Sequence, residues 1–325
     1  MSAADRLPSA PAAAGPRILY FGMAGRFSAL PLATLLAAGL PVVGVVLPAP
    51  ARPGSAPIEP REPPLPARRA LALVGPAAAP TILDLAWQHG IPACAVSRLC
   101  HPATLATLAG RRPDLIMVAC FPRRLPSALL ALASLGGVNL HPSLLPAGRG
   151  PAPRFWAFRH GLARSGVTVH RLTDALDAGP ILAQAAFDLP DGMTGDEFDA
   201  RAATLGGHLL VDTARALADG AACATPQDER QASYDPWPTG ADYLITPDRP
   251  ARWVYNFVRG VAGDGGPLTL RLGDERLAIS AALAVAAEGE LGAPARRAGQ
   301  TLWVQCRPGV VHLQLAASSD RPGRA

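Results

Sequence analysis

Asn139 and His141 stand two residues apart in a short apolar run, Gly137–His141, with a proline directly after it. In an extended strand, residues i and i+2 share a face, so an amide and an imidazole lie side by side while Leu140 points into the sheet. Pro142 cannot donate to a sheet ladder, so the strand must stop there and residues 143–150 form a loop. Paired hydrogen-bond donors at a strand end suit an oxygen that becomes negative in a tetrahedral intermediate. Further along, Leu176-Asp177-Ala178-Gly179 sets Asp177 in a glycine-containing loop. A carboxylate there could orient His141 and raise its pKa from about 6.5, keeping the ring protonated as a donor. The same residue types also fit a purely structural alternative, a histidine beside a proline that ends a strand.

These side chains need a scaffold, and the pattern from residue 17 onward predicts one. Strands are expected at 17–22, 42–47, 93–96, 115–120 and 137–141, with a helix over 27–39 that ends at glycine. The strand candidates are apolar on both faces, as parallel strands covered by helices must be. Their alternation with helical segments predicts an α/β fold. Its core is a Rossmann-like, mostly parallel open sheet that binds ligands beyond the carboxyl ends of its strands. Strands at 166–172 and 181–189 follow, then a long helix over 194–220 with Thr194 as its cap. Residues 48–80 are proline-rich and carry Arg52, Arg61, Arg68 and Arg69. That stretch reads either as a disordered surface insertion or as a loop touching an anionic substrate. Near residue 232 the character changes. Residues 233–240 (SYDPWPTG) form a turn-rich linker, and short strands at 268–272, 277–282, 302–306 and 310–315 predict a small C-terminal β-barrel of OB-like type. The expected plan is a disordered Ala/Pro tail over 1–16, a catalytic domain over 17–230 and a barrel-like domain over 231–325.

Composition removes several chemistries. The 325 residues include thirty basic side chains, all arginine, so a Schiff-base lysine and a Walker lysine are both excluded. Gly22 and Gly25 follow the first strand without completing a GxGxxG, which argues against a dinucleotide site. The five cysteines (Cys94, Cys100, Cys120, Cys223 and Cys306) are odd in number and form no CxxC pair. That pattern speaks against a disulfide framework or a zinc site and suits a reducing cytoplasm. The spacing of the seven histidines suggests no metal site. Cys120 reads as a small buried apolar residue. No apolar stretch reaches the ~18–20 uncharged residues of a membrane span. The first sixteen residues also lack the basic start and apolar segment of a secretory signal. The formal net charge of +5 permits an anionic partner without demanding one.

A series of motifs then appears in order: Asn139-Leu140-His141-Pro142-Ser143-Leu144-Leu145-Pro146, Arg149-Gly150-Pro151-Ala152-Pro153, Gly166-Val167-Thr168, and Leu176-Asp177-Ala178-Gly179-Pro180-Ile181-Leu182. This series closely resembles the formyltetrahydrofolate-dependent formyltransferase family. The resemblance covers roughly residues 17–220. It continues more faintly through Pro236-Trp237-Pro238 and residues 254–260, which is most like the two-domain branch that acts on methionyl-tRNA. The resemblance implies transfer of a formyl group from 10-formyltetrahydrofolate, a co-substrate, to an amine, with Asn139, His141 and Asp177 as the catalytic residues and no metal. It also implies that folate lies among Ser143, Leu144, Leu145 and Pro146, the loop carrying Phe121, Arg123 and Leu125, and the segment 174–179.

The resemblance leaves two classes of acceptor. The first is the α-amino group of methionyl-initiator tRNA, favoured by the two-domain length and the Pro-Trp-Pro linker. The second is a small amine, such as a nucleotide-linked amino sugar. It is favoured by altered loops, by the mild charge and by Val169-His170-Arg171-Leu172. The first loop reads Phe21-Gly22-Met23-Ala24-Gly25-Arg26-Phe27, without the family's threonine and proline. Residues 48–80 lack the lysine-bearing character of a loop that grips an acceptor stem. From Gln231 onward there are ten arginines against nine acids, so a basic face for tRNA depends on clustering, for which Arg249, Arg252 and Arg259 are the candidates.

Overall fold

The protein was described from a computed structural model that covers residues 15–64 and 79–317. Most of the expected tail and the central part of the proline-rich stretch, with Arg68 and Arg69, lie outside the described residues. The chain opens with β1 (Ile18–Gly22), turns into α1 (Arg26–Ala37) and returns as β2 (Val42–Pro48). Then come β3 (Ile58–Pro60), α2 (Ile82–Gln88), β4 (Ala93–Val96), α3 (Pro102–Ala109), β5 (Leu115–Ala119), α4 (Ser127–Leu130) and β6 (Gly137–His141). The next elements are α5 (Pro153–Arg159), β7 (Arg164–Arg171), β8 (Ile181–Asp188) and α6 (Gly195–Ala218).

Eight strands form one sheet in the order β3-β4-β2-β1-β5-β6-β7-β8. Its centre, β4-β2-β1-β5-β6, is parallel throughout, while β3 and β7 pair antiparallel with β4 and β6. The parallel strands are apolar on both faces because helices cover both: every residue of β1, β4 and β5 is buried. Helix starts follow local chemistry. Thr81 and Asp84 cap α2 reciprocally, Pro102 opens α3, and Thr194 with Glu197 forms a capping box ahead of α6. The proline-rich stretch is not uniformly an insertion. Its residues 58–60 complete the sheet edge against β4, and Trp87 donates to the Arg61 carbonyl.

The chain divides into two compact units. The first holds the residues up to His141 together with Thr168–Ala185 and Ala203–Gln227. Its core packs Leu19, Phe21, Val46, Val96, Ile116 and Val118 against Leu108, Leu125 and Leu129.

The second unit holds Pro142–Val167, Ala186–Ala202 and the chain from Asp228 onward. Here α5 packs on α7 (Ala251–Val261), whose Ala251, Val254, Phe257, Val258 and Val261 recur at helical spacing and are all buried. Phe257 meets Phe155 edge-on and stacks on Trp253. The remaining strands are β9 (Leu244–Ile245), β10 (Thr269–Leu272), β11 (Glu275–Ala286), β12 (Ala295–Ala298), β13 (Thr301–Gln305) and β14 (Val310–Leu315). They form a six-stranded sheet in the order β12-β13-β14-β11-β10-β9, antiparallel except for the β9–β10 pair. Two register shifts in β11 let one long strand serve both halves of that sheet. Among the described residues, no helix is long and apolar enough to cross a membrane.

Candidate active site

The antiparallel register of β6 on β7 sets Asn139 opposite His170 and His141 opposite Thr168. Asn139 and His141 therefore share a face, as their spacing requires, while Leu140 is buried on the other side. The Asp177 loop, between β7 and β8, folds back over this face. Asp177 Oδ1 lies 3.7 Å from His141 Nδ1 and 3.6 Å from His170 Nε2. One carboxylate thus faces two imidazoles, and all three side chains are at least nine-tenths buried. In such a low-dielectric setting a charge on one group is felt strongly by the others.

His170 was missed by sequence reasoning as a member of the site. Its Nδ1 sits 2.9 Å from the Arg171 carbonyl, which can only accept, so Nδ1 carries the hydrogen. In the neutral ring its Nε2 then accepts from the Asn139 amide nitrogen at 3.1 Å. The available signal was the alternation of Thr168 and His170 along one face of the expected strand. Gly179 makes the return of the loop possible. A Cβ there would lie 1.9 Å from the Arg171 carbonyl oxygen, so any larger residue would push the loop away.

The loop after β5 is tied down from two sides. Arg123 donates to the carbonyls of Ser97 and Val96 at the end of β4 and lies over the Phe121 ring, which meets Phe21 edge-on. Desolvation draws the Arg123 pKa below its ordinary value. Leu125 is buried in the core, Phe121 and Arg123 are half-buried, and Arg124 donates to the Asp174 carbonyl at 2.5 Å. Cys120 corrects an expectation. It is exposed, because β5 ends at Ala119 and the next residue turns out of the sheet at φ 60°, with its Sγ 3.8 Å from Met23 Sδ.

In the second unit, Ser143 and Leu145 are buried, and Ser143 Oγ donates to the Ala147 carbonyl. The following turn is held by the linker: Gly148 N donates to Ser233 Oγ, and Arg149 N to the Ser233 carbonyl. Arg149 makes a two-pronged pair with Glu229 at 2.8 and 3.0 Å. The three arginines considered for a basic patch are engaged within this unit. Arg249 lies over Trp253, Arg252 pairs with Asp191 at 2.7 Å, and Arg259 donates to the Gly192 carbonyl. Among the described residues, no cluster of three or more His, Cys, Asp or Glu side chains is placed to hold a metal ion.

A family model described as formyl transferase matches residues 79–214. The chain is 34% identical to the methionyl-tRNA formyltransferase of Pelobacter propionicus over 240 residues, covering 73% of this chain and 75% of that one. It is 37% identical to the methionyl-tRNA formyltransferase of a Synechococcus strain over 181 residues, or 55% of this chain and 56% of the relative, so the match spans little more than half of that protein. Among solved structures, an N-formyltransferase from Helicobacter canadensis, in complex with folinic acid and dTDP-3-aminofucose, shares the fold. Its TM-score is 0.65 at 13% identity, over 92% of this chain and 99% of that one.

Proposed function

Because the chain belongs to the formyltransferase family, we propose that it transfers the formyl group of 10-formyltetrahydrofolate to the α-amino group of methionyl-initiator tRNA. One observation carries this reading at the level of the site: a buried Asp177 carboxylate lies within 3.7 Å of both His141 and His170, and His170 in turn holds Asn139. Bound 10-formyltetrahydrofolate supplies an electrophilic formyl carbon. Everything else falls to side chains of this chain. The Asn139 amide nitrogen has a second hydrogen beyond the one given to His170 and supports the oxygen that becomes negative as the amine attacks. His141, held through Nδ1 by Asp177, supplies the other donor. Asp177 positions His141 and takes part in moving the proton from the attacking amine to the leaving nitrogen. An α-amino group has a pKa of roughly 7.7–8.0, so a useful fraction is neutral near pH 7.

The folate subsite is assigned to Ser143, Leu144, Leu145 and Pro146 together with Phe121, Arg123, Leu125 and the backbone of 174–179. Residues 17–230 act as the catalytic domain. Residues 231–325 act as a second domain whose six-stranded sheet is read as a small OB-like barrel and as the holder of the tRNA. The reading places the enzyme in the cytoplasm, where folate and charged tRNA meet.

A second acceptor class, a small amine such as a nucleotide-linked amino sugar, is favoured by the pairing of Arg252 with the Asp191 carboxylate. An arginine already paired with a carboxylate of its own unit has less charge to offer a phosphate backbone. The deciding test is formyl transfer from 10-formyltetrahydrofolate to charged initiator tRNA, charged elongator tRNA and nucleotide-linked amino sugars in parallel. Formylation of the initiator alone is expected. Turnover of an amino sugar with none on tRNA overturns the acceptor and keeps the chemistry.

A further inference from the structure

Asp177 stands in the left-handed backbone region at φ 52°, which few residues other than glycine adopt, aspartate and asparagine being the more frequent of them. It needs something to hold it there, because the same turn aims its carboxylate at two histidines. The chain after α6 supplies the holder. Residues 225–227 run beside the start of β8, where Ile181 and Thr225 exchange both backbone hydrogen bonds at 2.8 Å. That bridge delivers the side chain of Gln227 to the underside of the Asp177 loop. Its amide nitrogen, Nε2, lies 2.7 Å from the Asp177 carbonyl and 2.8 Å from the Gly179 carbonyl. A primary amide has two hydrogens, so it satisfies both carbonyls at once and spans the turn.

We propose that Gln227 is a positioning residue for Asp177: its amide clamps the carbonyls of residues 177 and 179 and fixes the turn that points the carboxylate at His141 and His170. The proposal rests on the catalytic reading of Asp177 given above. Gln227 acts on Asp177 through these two backbone carbonyls. A glutamate has the same shape but, ionised, can only accept, so it repels the two carbonyls that glutamine ties together. A methionine keeps the length and removes both donors.

The test uses the full chain with Gln227→Met and Gln227→Glu, alone and combined with Asp177→Asn. Turnover for formyl transfer to methionyl-initiator tRNA or an amino sugar should fall by about tenfold or more in each single variant, as a misplaced catalytic group predicts. The KM for the amine acceptor should stay near that of the parent protein, which a general loosening of the fold would not allow. In the Asp177→Asn background the Gln227 substitution should cost little more, since both changes act on one group. Hydrogen exchange of the amides of 173–180 should quicken in Gln227→Met while β1 and β5 are unchanged. Full turnover in both Gln227 variants, or full additivity with Asp177→Asn, overturns the proposal. If the parent protein formylates neither acceptor, the functional reading fails by itself. Exchange over 173–180 then decides the clamp, and unchanged exchange in Gln227→Met removes it.

Discussion

At the scale of single residues, the site is one carboxylate shared by two imidazoles, with an amide oriented by the second of them. Asn139→Ala removes the proposed oxyanion donor and should lower turnover by about 100-fold or more, and it leaves the buried His170 ring without the amide that donates to it, at about 1–3 kcal/mol of stability. Steady-state kinetics beside thermal unfolding checks both parts. His170→Phe breaks the same bond from the other side. It leaves the Asn139 amide without its acceptor, a loss of about 1–3 kcal/mol in stability, and frees that amide to turn. A fall in turnover with no fall in stability would argue that His170 does not hold Asn139. Asn139, His141 and Asp177 were legible in the sequence because a strand's two-residue period and a glycine-marked loop are local features. His170 and Gln227 were not. They join the site through an antiparallel register and through a segment that returns fifty residues later, and no local pattern says which residue each will meet.

At the scale of elements, the contact of α5 with α7 depends on Gly260. A Cβ there would fall 2.2 Å from Phe158 Cγ, inside any tolerable separation. Gly260→Ala should therefore cost about 1–3 kcal/mol through overpacking, visible as a lower denaturant midpoint. The same region carries Arg154 between Asp199 at 3.2 Å and Asp264. Desolvation pushes the Asp199 carboxyl up to about 6, against the pull of Arg154, and raises Asp264 in the same direction. A folded-state pKa above the unfolded one means that the folded form binds the proton more tightly. The Asp199 contribution is thus complete below about pH 4 and is lost as pH rises through about 6. Unfolding measured from pH 4 to 7 should show that decline, and Asp199→Asn should flatten it. A flat profile in the parent protein contradicts the assignment. Periodicity located the long strands and α6 well, since each carries an uninterrupted apolar pattern. It did not reveal β3, three residues long and ending at Pro60, or α2, α3 and α4, which are too short for a helical period to show. Cys120 was misjudged for a related reason: the apolar run continues one residue past the end of the strand it marks.

At the scale of the whole molecule, the absence of lysine makes arginine the sole source of fixed positive charge for an anionic partner. If the partner is tRNA, its capture should weaken steeply with salt, whereas transfer to a nucleotide-linked amino sugar, which carries only the charge of its own diphosphate, should respond far less. Turnover at subsaturating acceptor, followed across ionic strength, separates the two. Net charge could not locate a binding face in advance, because Arg252 pairs with Asp191 and that pairing exists only once the chain has folded. The fold class was readable because a parallel sheet demands runs that are apolar on both faces. The acceptor was not, because it depends on which arginines remain unneutralised on a surface. The most direct test of the central claim is single-turnover transfer of a labelled formyl group from 10-formyltetrahydrofolate to methionyl-initiator tRNA, run on the parent protein and on Asp177→Ala side by side. The account predicts stoichiometric labelling of the amino acid by the parent and at least about tenfold slower labelling by the variant. Equal rates for the two proteins, or no labelled amine from the parent with either acceptor class, would contradict it.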